Sequence, residues 1–250
     1  MKTALVTGGA QGIGRGIVQH LRNEGWRVAL FDLDGEAAAE MQADDPGLLA
    51  LTVDVSDEDA VERGFSRLRE WLGGDPLDLL VSNAGIADPQ TGPIEDLALS
   101  DWRRMLDSHV TGAFLTVRAG APLLRQARGS VVLISSTRAL QSEPDTEAYA
   151  ASKGALLALS HALAVSLGPE IRVNCILPGW IETAAHQKRR NRRTPHHSRA
   201  ENLQHPAGRV GMPQDIAGLV GFLASDQAGF ITGQRFVVDG GMSARMIYPA

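Results

Sequence analysis

A doubly wound α/β fold, a seven-stranded parallel sheet with helices on both faces, is predicted by three features of this 250-residue chain. Short apolar runs alternate with longer segments of helical period, the rhythm that lays crossover helices over a parallel sheet. The runs are continuous in Val, Leu and Ile, as strands buried on both faces require. A glycine-dense turn, TGGAQGIG from Thr7 to Gly14, links the first run to the first helical segment.

KTALVT is the first strand. GIGRGIVQHLRNEG follows as a helix, with Ile13, Ile17 and Leu21 recurring at four-residue spacing and Gly25 as its stop. RVALFD and LLALTVD are the second and third strands. SDEDAVERGFSRLREWL is a crossover helix with Ser56 as N-cap and acidic residues in its first turn, where the helix dipole favours them. LDLLVSN and SVVLISS supply the fourth and fifth strands, EAYAASKGALLALSHALAVSL a long helix, and IRVNCIL and RFVVDGG the last two strands. No repeat, linker or low-complexity segment interrupts this rhythm before Gln187. There KRRNRRTPHHSR departs from the surrounding composition as an excursion from the core. The chain, 1–250, therefore reads as one domain.

Composition narrows the function. Hydrophobic residues make up 44% and charged residues 21%, enough to bury a sizeable core and too apolar for a disordered chain. A net charge of -5 and a pI near 5.8 argue against a nucleic-acid partner. KRRNRR also lacks the aromatic interleaving of such binders. The lone Cys175 excludes an internal disulfide framework and reads as an inert core thiol or, alternatively, a pocket wall. The amino-terminal apolar stretch is too short for a secretion signal, and no apolar run of transmembrane length is expected. The expectation is a cytoplasmic protein without a membrane partner.

Glycine costs roughly 0.5–1 kcal/mol relative to alanine where the backbone becomes ordered, so its density in the opening turn calls for a reason. At a strand-to-helix turn, the unpaired N–H groups of the helix amino terminus hold a pyrophosphate if no side chain intervenes. Gly8, Gly12 and Gly14 would clear that approach; a tight turn with no ligand is the alternative. Asp32 ends the second strand at the approximate distance from the turn expected of a ribose-binding carboxylate. Such a group accepts from ribose hydroxyls and repels a 2′-phosphate, which favours NAD over NADP, while an ordinary strand-end turn is the bland alternative. Tyr149 and Lys153, at i and i+4, share one helical face. The neighbouring ammonium is expected to lower the phenol from its usual value of about 10. Ser136 closes the fifth strand, where open sheets place their ligand crevice. Its hydroxyl would orient a substrate oxygen while Tyr149 exchanges the proton.

TGxxxGxG from Thr7, Asp32, DV at Asp54-Val55, NAG from Asn83 to Gly85, ISS ending at Ser136, YxxxK from Tyr149 and PGWIET from Pro178 follow one another in order. In this combination essentially the whole chain resembles the short-chain dehydrogenase/reductase family. The resemblance implies a Rossmann-like fold and an oxidoreductase that passes hydride between NAD and a secondary alcohol or carbonyl compound. Cofactor contacts would come from Gly8, Gln11, Gly12, Ile13 and Gly14, from Asp32 and Leu33, and from Asp54 and Val55. Asn83, Ala84, Gly85, Tyr149, Lys153, Pro178, Gly179, Ile181 and Thr183 complete them. Gln11 stands where many NADP-using relatives carry Lys or Arg, and Arg15 beyond the glycines is expected to be solvated. Asp54 would meet the adenine amino group, though DVSDED equally serves as a helix-capping loop. Asn83 would tie strand ends together or touch the cofactor.

Catalysis would fall to Ser136, Tyr149 and Lys153, with His109 where relatives carry an Asn that supports a water-linked proton relay. His109 either joins that relay, since imidazole exchanges protons near neutrality, or packs and leaves its backbone carbonyl to the water. Trp180 would pack or line the pocket. A substrate lid is expected at 182–207, its basic run solvated and mobile or receiving an anionic group. Its histidines lack a metal-ligand pattern, so no metal is expected. The family implies a homotetramer or homodimer built on helices around Trp102–Leu124 and Tyr149–Leu167. A catalytically impaired dinucleotide-binding sensor or scaffold is the alternative function.

Overall fold

The computed structural model of the chain describes residues 1–246, and the last residues of the predicted domain, 247–250, lie outside the described residues. The strands are β1 (Thr3–Thr7), β2 (Arg27–Asp32), β3 (Leu49–Thr52), β4 (Leu79–Ser82), β5 (Ser130–Ile134), β6 (Arg172–Pro178) and β7 (Arg235–Val238). They form one parallel sheet in the order β3-β2-β1-β4-β5-β6-β7, each on one of the predicted runs. The winding reverses between β1 and β4, so a crevice opens beyond the carboxyl ends of those neighbours.

The helices are α1 (Gly12–Asn23), α2 (Gly35–Asp44), α3 (Glu58–Leu72), α4 (Leu99–Leu106), α5 (Gly112–Ala127), α6 (Glu147–Leu167), α7 (Arg199–Leu203) and α8 (Pro213–Leu223). They divide between the faces of the sheet. Leu5, Phe31, Leu80 and Leu133 point into one core cluster with Phe65 of α3, Leu124 of α5 and Leu156 of α6. Their strand neighbours Val6, Leu30, Val81 and Val132 point into the other, with Ile17 and Leu21 of α1 and Ile216 and Val220 of α8. Alternation along the inner strands thus fills two cores at once. Full burial of each such side chain is worth about 1.5–3 kcal/mol, which makes the sheet a rigid platform for its loops.

Four expectations change. Ser56 does not cap α3: Asp57 does, accepting from the Ala60 amide at 3.0 Å, because Asp54 holds both the amide and the hydroxyl of Ser56 in the preceding turn. A run of transmembrane length does occur. By length and composition α6 passes for a span, with a mean hydropathy of 1.3, but it carries Lys153 and lays Ser152, Leu156, Ser160 and Ala164 inward as a core helix. Arg15 is buried rather than solvated, lying 3.5 Å from Asp44. The basic run is not simply solvated either. Lys188 is buried, with Nζ 2.5 Å from Asp34 and 2.9 Å from Glu36, because the acidic side of α2 meets it.

Candidate active site

The glycine turn creates the cleft. Gly8 and Gly12 take left-handed φ values of 60° and 59°, and a Cβ on Gly14 would sit 2.0 Å from the Gly8 carbonyl oxygen. The chain folds back on itself here only where side chains are missing. No side chain caps α1, whose N-cap is Gln11, so its first amide groups remain available to an anion. They open into a cleft of about 450 Å³ lined by Gly8, Gln11, Gly12, Ile13, Asp32, Leu33, Asp54, Val55 and Asn83 to Gly85. Tyr149, Lys153, Pro178, Gly179 and Thr183 line its other end with Ser136 and His109. These residues fit a dinucleotide: the cradle is bare main chain, and its shape depends on Gly14, where a Cβ would collide with the Gly8 backbone beneath the turn.

Most predicted contacts therefore share one cavity, with local differences. Gly14 lies beneath the turn instead of on the cleft wall. Ile181 bridges to Gly211 and packs against the α1/α8 core, because the chain after β6 runs beside the start of α8. Asp32 accepts from the amides of Ala10 and Asp34, both at 2.9 Å, and burial raises its pKa. Asp54 serves the loop through Ser56 while still facing the cleft. Asn83 acts as a tie, its Nδ2 donating to the carbonyls of Thr7 and Gly8 at 3.0 Å and joining β1 to β4. Ile86, Ala87, Ser108, Ser135 and Gln187 also line the cleft. Ile86 and Ser135 adjoin motifs and were within reach of sequence reasoning; Gln187 carries no such signal.

α6 brings Tyr149 and Lys153 together, with Nζ 5.4 Å from the phenol ring centroid. Lys153 is buried and donates to the Ile134 carbonyl at 3.3 Å. Burial pushes its amine down to about 8. The expected lowering of Tyr149 is not what occurs: burial raises the phenol, outweighing a hydrogen bond from Ser136 and the charge of Arg138, which pull it down. Ser136 Oγ accepts from the Arg138 amide at 3.2 Å, which leaves its own proton for another oxygen.

His109 sits in a π-helical turn, Asp107–Thr111, between α4 and α5. Such turns insert a residue into the helical ladder and concentrate at functional sites. Nδ1 lies 2.9 Å from Ser152 Oγ, which donates to the Tyr149 carbonyl at 2.8 Å. A hydroxyl has one proton to give, so Nδ1 is the donor and Nε2 the bare acceptor. Nε2 is buried without a hydrogen-bond partner, and the ring stands edge-on to Tyr149 with centroids 5.5 Å apart. Only glycine fits opposite, since a Cβ on Gly85 would lie 2.0 Å from Cδ2. Burial and the Lys153 charge push the imidazole down to about 2, which keeps the ring neutral near pH 7.

Trp180 packs instead of lining the cleft. Its ring meets His197 edge-on at 5.5 Å and His205 at 6.0 Å, and His197 lies 3.3 Å from Glu182, closing the base of the 182–207 segment. Cys175 is buried and its thiol pushed up to about 12, an inert core group.

A bare helix terminus at the switch point of a parallel sheet, with a phenol and an amine one helical turn apart in the same cleft, belongs to nucleotide-linked oxidoreductases. The chain is a member of the short-chain dehydrogenase/reductase family: the family model described as enoyl-(acyl carrier protein) reductase matches residues 8–243. It is 45% identical over 99% of its length to an uncharacterized oxidoreductase of Thermotoga maritima, covering 98% of that protein. It is 36% identical to a 2-(S)-hydroxypropyl-CoM dehydrogenase of Xanthobacter autotrophicus, covering 96% of this chain and 95% of the relative. Among solved structures, an apo SCOR enzyme from Clostridium thermocellum superimposes with a TM-score of 0.88 at 36% identity, covering 99% of this chain and 95% of that one. A 3-ketoacyl-(acyl-carrier-protein) reductase from Brucella melitensis complexed with NADH gives 0.85 at 29% identity, covering 97% and 98%.

Proposed function

We propose that this chain is an NAD-preferring dehydrogenase/reductase of a secondary alcohol or its carbonyl partner, with Tyr149 as general acid and base. The observation that carries the proposal is the convergence of Tyr149, Lys153 and Ser136 at the end of a cleft that begins at the glycine turn. When bound, the nicotinamide supplies the hydride acceptor or donor and, oxidised, a positive charge beside the phenol. Ser136, whose O–H faces the Tyr149 oxygen, would turn that proton to the substrate oxygen and orient it. Tyr149 takes the hydroxyl proton during oxidation and returns one during reduction. Lys153 is still mostly an ammonium at pH 7, given a value of about 8. It favours phenolate electrostatically, and its remaining N–H groups would hold ribose hydroxyls. His109 is a positioning residue: through Ser152 it fixes the first turns of α6, and so the Tyr149 ring.

Asp32 supports the preference for NAD, since a fixed carboxylate at the ribose edge repels a 2′-phosphate. We read the chain as one catalytic domain with a strap at 182–207. A homodimer or homotetramer is supported by the apolar side chains left exposed on α4, α5 and α6, among them Leu99, Phe114 and Val165. One observation favours a sensor or scaffold without turnover: a His109 that stays neutral cannot relay protons by charging. A panel of alcohols, sugars and hydroxysteroids with NAD, followed by absorbance of the reduced cofactor, separates the readings. Turnover supports the enzyme; NAD binding with no turnover across the panel would favour the sensor.

A further inference from the structure

The basic run absorbed by none of this chemistry lies against α2. Glu36, Glu40 and Asp44 recur at four-residue spacing and so form one stripe along that helix. Lys188 Nζ reaches Glu36 at 2.9 Å and the N-cap Asp34 at 2.5 Å. Arg190 reaches Glu36 at 3.0 Å, the Arg189 amide donates to Glu40 at 2.9 Å, and the Arg189 guanidinium pairs with Asp44. The strap is tied at the same place to the cofactor turn. The Lys188 amide donates to Gln11 Oε1 at 3.1 Å, and Gln11 Nε2 donates to Asp34 at 3.3 Å. Thr183 lies 3.8 Å from the position of a Cβ on Gly12. Asp34 in turn gives its amide to Asp32, the carboxylate at the ribose edge of the cleft.

We propose that Lys188 is a positioning residue for the dinucleotide, fastening the strap across the adenosine end of the cleft so that cofactor exchange requires the Lys188–Asp34–Glu36 cluster to open. The proposal rests on the dinucleotide reading of the cleft. Isolated surface ion pairs contribute little. Lys188 is different because its side chain is only 9% exposed and held by two carboxylates, so breaking one contact leaves a partly desolvated charge without its partner. The α2 acids also offset repulsion beneath the strap, where Arg189 and Arg192 act on the buried Arg15. The segment that resembles a substrate lid is thus bonded to the cofactor side of the molecule, and one motion would release both ligands.

Displacement of NADH followed by stopped-flow fluorescence tests this in the wild type, Lys188→Met and Lys188→Arg. Met keeps the apolar stem without the charge. Dissociation from Lys188→Met is expected to be faster by about tenfold or more, as for loss of a hydrogen bond to a charged group, with Arg between the two. Wild-type release should quicken between about 0.05 and 0.5 M salt, and the Met variant should lose most of that response. A folded Met variant, by circular dichroism, releasing NADH within about twofold of wild type and with the same salt response would overturn the proposal. If the wild type holds NADPH and not NADH, the preference for NAD fails and the same rates measured with NADPH decide the role of Lys188. Binding of neither would remove both.

Discussion

Tyr149 and Lys153 are perturbed by the same burial in opposite senses. The phenol rises above its ordinary value while the amine falls to about 8, so each is pushed toward its neutral form. A neutral phenol is the ready acid for carbonyl reduction, and oxidation calls for the phenolate. Oxidation should therefore speed up toward alkaline pH, as measured by kcat/KM against pH. Tyr149→Phe should lower kcat by about 10²–10⁴-fold with NADH affinity retained; full activity would mean the proton travels elsewhere. Asp32→Ala should narrow the preference for NADH over NADPH by about tenfold or more, since one charge repulsion is removed. A competition titration with both dinucleotides reads this directly. The pairing of Tyr149 with Lys153 was legible because i, i+4 geometry is local. The sign of the Tyr149 shift was not, because desolvation sums over neighbours far away in the chain.

The glycine turn shows how an element becomes a binding surface. Its spacing was visible in sequence, and so was its place between strand and helix. The 2.0 Å approach of a Gly14 Cβ to the Gly8 carbonyl oxygen explains why relief cannot come from a rotamer: the obstacle is backbone. Gly14→Ala should thus cost about 1–3 kcal/mol or more of stability and most of the NADH affinity, measured by thermal unfolding and fluorescence titration. Normal binding by a normally stable variant would contradict the geometry. The cap of α3 shifted by one residue for an equally concrete reason, since Asp54 occupies Ser56. No periodicity signals the π-helical turn at His109. It depends on a ring that needs the void opposite Gly85 and a hydroxyl on α6 to hold Nδ1.

For the whole molecule, buried groups couple stability to pH. His109 is held near 2 in the fold against an ordinary 6.5, so between those values the unfolded chain binds the extra proton. Stability then falls on acidification below about 6.5, by up to about 1.4 kcal/mol per pH unit from this group. Lys153 acts in the same sense at the other end, with stability rising from about 8 toward 10.5. Asp34 is held low chiefly by Lys188, so its contribution is present above the ordinary carboxylate range and lost as pH falls through its lowered value. Denaturant unfolding of wild type and His109→Asn from pH 7 to 5 should show a shallower acid loss in the variant. Equal slopes would mean that His109 takes a proton in the native state.

The seven strands, the two-faced core and the neighbourhood of Tyr149 and Lys153 were settled by sequence alone, because apolar runs and helical spacing are local and repeat along the chain. Tertiary structure decided what depends on residues that meet only after folding. Burial reversed the expected shift of Tyr149 and kept His109 neutral, Ile181 packed partly buried against the α1/α8 core, and Lys188 crossed to α2 from more than a hundred residues away. Charge and burial are properties of an assembled neighbourhood, and no stretch of sequence contains its own neighbourhood.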